Sequence, residues 1–101
     1  MYIERTHYYA KPGRADDVRA TRLRACDVRE AIGLSRGVIL HKVDPDEDGP
    51  DVVWQCEFAT LADHDRDLAA RADSAGFEAV RCHMRTCFDK FERHFQEIVE
   101  G

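Results

Sequence analysis

The residues of this chain best suited to acid–base or anion chemistry are His7 and Tyr8 near its start, Arg22 and Arg29 seven positions apart, and Trp54. An imidazole can take a proton from a phenol-like substrate, a guanidinium can hold the resulting anion, and an indole can wall the ring. Such a set suits proton abstraction from an ionisable ring and stabilisation of its anion. The competing interpretation is packing: strand His and Trp side chains fill cores, and helix arginines bury their stems while their heads reach the rim. His7 and Tyr8 are also neighbours, so on a strand they point to opposite faces and share a pocket only across a bulge.

Other clusters carry less chemistry. His83 and Cys87 are four apart and would share a helix face, with His94 as a distant third ligand. Zinc sites use tighter Cys/His pairs, so no metal is expected. Asp44, Asp46, Asp48 and Gly49 open like a calcium loop, but position twelve is Gln55 rather than a bidentate Glu. A solvated hairpin tip is the expectation there. No nucleophile elbow, phosphate loop or dinucleotide fingerprint is present, and no cofactor is expected.

The elements that must position these residues are legible from periodicity. Residues 51–63 organise the rest: Val52, Trp54, Cys56 and Phe58 recur at period two on one strand face, and Thr60 precedes Asp63 at helix-capping spacing. Residues 2–9 alternate Tyr2, Glu4, Thr6 and Tyr8 against Ile3, Arg5, His7 and Tyr9, and Pro12-Gly13 turns the chain. A helix over 15–32 puts Val18, Thr21, Ala25, Cys26, Val28 and Ile32 on one face, with Arg22 and Arg29 near its middle. A second strand is expected over 35–43. A helix over 61–72 turns Leu61, Leu68 and Ala72 inward, and Ser74 caps a further helix on which Phe77, Val80, Met84 and Phe88 face the core. The last segment, 91–99, alternates as a strand, although Phe91, Phe95 and Ile98 also fit a helix. The order βαββαβ, with an extra helix after the second helix, gives an α+β, ferredoxin-like, four-stranded antiparallel sheet with helices on one face.

Bulk composition narrows the function classes. The 101 residues, 44% hydrophobic and 35% charged, suit a single domain over 1–101, small enough to gain from pairing with a copy of itself. The open sheet face is expected to carry apolar and aromatic side chains that a second copy covers, giving a homodimer. A net charge of -5 provides no basic footprint for nucleic acid, and no apolar run is long enough to span a membrane. A cytoplasmic protein with four reduced cysteines is expected.

These residues resemble the dimeric α/β-barrel superfamily and, within it, the NIPSNAP-like branch related to antibiotic-biosynthesis-monooxygenase domains. Glu4 and Tyr8 followed by Lys11-Pro12-Gly13 resemble the opening strand and turn. Trp54 to Asp63 is similar to the aromatic strand and the S/T-L-A-D helix start, and Ser74 to Phe77 to the second helix start. The resemblance implies a barrel closed by two sheets in a homodimer and a small-molecule pocket between sheet and helices. It adds Glu4 to the candidate ligand-binding residues Arg22, Arg29 and Trp54, and Tyr8 to the candidate catalytic residues beside His7. The activities it implies are a cofactor-independent monooxygenase or isomerase acting on an aromatic or anionic metabolite, or a non-catalytic ligand-binding or assembly protein.

Overall fold

The computed structural model describes all 101 residues. The chain runs β1 (Tyr2–Ala10), α1 (Ala15–Ala31), β2 (Val38–His41), β3 (Val52–Phe58), α2 (Leu61–Ala72), α3 (Ala75–Met84) and β4 (Phe88–Glu97). The four strands form one sheet in the order β2-β3-β1-β4, every pair antiparallel. This is the expected α+β, ferredoxin-like arrangement.

Cross-strand register decides which side chains meet. Glu4, Thr6 and Tyr8 lie opposite Cys56, Trp54 and Val52 on one side and Phe95, Arg93 and Phe91 on the other. Directly opposed residues share a face, so this set forms the helix-covered side of the sheet. Trp54, Val52, Cys56, Phe58 and Tyr8 are buried there against Val18 and Cys26 of α1 and Met84 of α3. The side chains of Thr60 and Ser74 accept hydrogen bonds from Asp63 and Phe77 N–H groups, so both expected helix starts form.

Five expectations need correction. The strand expected over 35–43 is confined to Val38–His41, because Gly37 at φ 73 turns the chain just before it. The last element is the expected strand, paired with β1 up to a register shift at Tyr9/Ala10, but it spans Phe88–Glu97 rather than 91–99. Cys87 N–H bonds back to Met84 O, so α3 closes before Phe88 can occupy a helix face. On α2 the buried residues are Asp67 and Arg71, whereas Leu61 and Leu68 are 53% and 37% exposed. Finally, Phe91 and Phe95 lie opposite Tyr8 and Glu4 and therefore belong to the helix side. The open face combines Ile3, Val38, Leu40 and Val53 with Arg5, His7, Tyr9, Glu92 and His94, and is far more polar than expected.

Candidate functional site

Trp54 is the fixed point of the helix side. Its indole is fully buried, and Nε1 donates to Arg36 O at 2.9 Å. The approach needs glycine at position 37: a Cβ there would meet Trp54 Nε1 at 2.5 Å and Gln55 O at 2.7 Å. Three guanidiniums gather over the same indole, with Cζ of Arg22, Arg29 and Arg71 at 4.3, 4.8 and 5.9 Å from a ring centroid.

Two of the three are closed into ion pairs. Arg29, with no exposed surface, donates to Asp67 Oδ1 and Oδ2 at 3.0 and 2.6 Å and through Nε to Ser35 O at 2.5 Å. Arg71 donates to Glu4 Oε2 and Oε1 at 3.0 and 2.8 Å, and its Nε lies 2.9 Å from Asp67 Oδ1. His64 Nε2 approaches Glu4 Oε1 at 2.8 Å, and its ring stacks on Phe95. Burial alone would raise the Glu4 pKa; the Arg71 hydrogen bonds and charge, helped by His64, outweigh it and hold Glu4 below its ordinary value. Those interactions likewise outweigh burial at Arg71 and raise its pKa. Burial raises the Cys56 pKa and favours the neutral thiol.

Arg22 is different. It is 5% exposed, its single hydrogen bond is from Nη1 to Tyr8 Oη at 3.4 Å, and its Nε and Nη2 have no partner. It opens on a cavity of about 290 Å³ between sheet and helices. Phe77, Val80, Met84, Phe88 and Phe91 give the cavity apolar walls, and Trp54 and Tyr8 line it too. Its charged lining consists of Arg22, Arg71, Arg81, Arg85 and Arg93, without one carboxylate. A chain with net charge -5 thus concentrates five cations around one apolar hole.

Of the residues proposed from sequence, the structure brings Tyr8, Arg22 and Trp54 to the cavity. Glu4 and Arg29 lie beside it within the ion-pair network and do not line it. His7 stands on the opposite face of β1, beside Glu92 and His94, so no bulge unites it with Tyr8. Burial lowers the His7 pKa first, followed by the charge of His94; the hydrogen bond from Tyr9 lowers that of Glu92. The His83, Cys87 and His94 set does not form one helix-face cluster: Cys87 is buried beyond α3, His83 is exposed on it, and His94 is on β4. Sequence reading missed Asp67 and Arg71. Their signal was an acid and a base four apart on α2, facing a strand whose buried side held Glu4.

Solved structures share this architecture. A NIPSNAP family protein from Agrobacterium tumefaciens superposes with TM-score 0.74 at 14% identity, covering 99% of this chain and 88% of its own. A Nitrosomonas europaea protein proposed to be an antibiotic biosynthesis monooxygenase gives 0.72 at 14% identity, over 99% and 100%. The fold is the one these proteins share. A Bacteroides fragilis protein of unknown function, described as dimeric and ferredoxin-like, gives 0.71 at 13% identity, over 96% and 95%. No protein-family model matches the chain, and no curated protein does. No helix is long and apolar enough to cross a membrane.

Proposed function

We propose that this chain binds an aromatic or otherwise amphipathic organic anion in the helix-side cavity, as a homodimer formed through the open sheet face. One observation carries the ligand assignment: Arg22 is a buried cation with two unpartnered nitrogens, and it lines a cavity whose other walls are arginines and apolar groups. A buried charge is costly without a partner, and a carboxylate, phenolate or enolate supplies one. Phe88 and Phe91 suit a flat hydrocarbon body, and Tyr8 Oη offers a second polar contact beside Arg22. The dimer is supported by the exposure of Val38 and Leu40 on the open face, at 52% and 45%, and by the likeness to a protein described as dimeric.

The likeness to the Nitrosomonas protein favours an enzymatic form of the same reading, a cofactor-independent oxygenase or isomerase. In that form Arg22 stabilises the substrate anion and Tyr8 is the protein group placed to exchange a proton with it. The first test is calorimetric titration with 2-naphthoate and its neutral isostere 2-naphthamide. Naphthoate is expected to bind about tenfold or more tightly than the amide, and Arg22→Met to remove that preference, as loss of a charge-assisted hydrogen bond requires. Equal binding of acid and amide, or an unchanged preference in Arg22→Met, overturns the assignment.

A further inference from the structure

The open face of the sheet holds a second cluster, chemically unlike the first. Glu92 of β4 lies directly opposite His7 of β1, and His94, two residues along β4, projects from the same face. One ligand-capable atom of each lies within 4.8 Å of those of the other two, and the imidazole centroids of His7 and His94 are 4.9 Å apart. We propose that His7, Glu92 and His94 form a binding site for a divalent transition-metal cation of the zinc type.

The donor set carries the assignment. Two imidazoles and one carboxylate suit zinc and its neighbours in the first row, while calcium and magnesium favour all-oxygen shells. Metal–ligand bonds of about 2.0–2.2 Å draw donors to within roughly 3.5 Å, so small rotations of side chains on paired strands close the site. Tyr9 Oη donates to Glu92 Oε1 at 2.8 Å, the kind of outer contact that fixes a ligand carboxylate. Of the neighbouring cations, Arg5 is engaged elsewhere, donating to Gln55 and Gln96, while Lys90 lies over the Tyr9 ring with Nζ 4.0 Å from Glu92 Oε2, a long ion pair that a metal would displace. Three protein ligands leave a coordination position for water or a small donor molecule. This site stands apart from the anion cavity and does not depend on it, but it lies on the open face through which the homodimer is proposed to form.

The test uses the full chain in its own assembly state, stripped with a chelator and titrated with Zn²⁺ and, as a spectroscopic probe, Co²⁺. Binding of about one equivalent per chain is expected, with ring-nitrogen NMR shifts at His7 and His94 and no thiolate-to-cobalt band. His94→Ala, an exposed position, is expected to weaken Zn²⁺ binding about 100-fold, and Tyr9→Phe about tenfold, whereas Cys82→Ser leaves it unchanged. Circular dichroism on each variant separates lost binding from lost fold. Wild-type affinity in folded His94→Ala, a thiolate band, or no Zn²⁺ binding by the wild-type chain overturns the site.

Discussion

Arg29 and Arg22 sit seven residues apart on the same face of α1 and press on the same indole, yet their surroundings differ in one decisive respect. At the Arg29 end, Asp67, Arg71 and Glu4 close every charge into pairs. At the Arg22 end no carboxylate arrives, and a cavity takes its place. The paired end is built to hold α1, α2 and the sheet in one arrangement. The unpaired end is where the proposed ligand would supply the missing partner. Burial of charge is common to both, so burial alone does not distinguish a structural arginine from a binding one; the partner count does.

The largest expected effect comes from breaking the paired end. Glu4→Gln leaves Arg71 buried against an amide, and loss of one partner from a buried pair costs about 3–5 kcal/mol. Urea unfolding measures this directly. A loss no larger than that of an ordinary surface substitution, about 0.5 kcal/mol, would mean that the network does not brace the fold.

Acid sharpens the same point. The Glu4 pKa is depressed below its ordinary 4.5, so its contribution to stability is fully present above the unfolded-state value and is lost as pH falls through the folded value. The stability gap between wild type and Glu4→Gln should therefore be constant above about pH 5 and shrink progressively at lower pH. A gap that holds at the acid end would show that the variant is destabilised by something other than charge.

Much of this arrangement was legible from periodicity. The inward face of β3 and the start of α2 follow from alternation and capping, both local signals, and the prominence of Trp54 follows from its place on that face. The inward residues of α2 were not legible, because a search for apolar stripes selects Leu61 and Leu68, and only the position of Glu4 across the sheet makes Asp67 and Arg71 the buried pair. Arg22 and Arg29 were visible as anomalies on an apolar face, but the expected escape of their heads to solvent does not occur. Whether each finds a carboxylate is a question of tertiary packing. The open-face cluster was hidden for the same reason: His7, Glu92 and His94 are brought together by the β1–β4 register, which one strand's pattern does not reveal.

The smallest expected effect has the opposite sign to the first. Arg22→Met keeps the unbranched apolar stem, about as far as the Nε position, and removes a buried cation whose Nε and Nη2 have no hydrogen-bond partner. Against that gain stand the lost cation–π contact, about 1–2 kcal/mol when desolvated, and the 3.4 Å bond to Tyr8. Removing an unpaired buried charge relieves a desolvation penalty of several kcal/mol, so the ligand-free variant should be as stable as wild type or more stable by about 1 kcal/mol. Thermal unfolding without and with 2-naphthoate reads both halves of the comparison. Wild type should be stabilised by the ligand and the variant should not, since only a state that binds is shifted by mass action. A variant that is markedly destabilised without ligand would place Arg22 with Arg29 among the structural arginines, and the distinction between the two ends of α1 would fall.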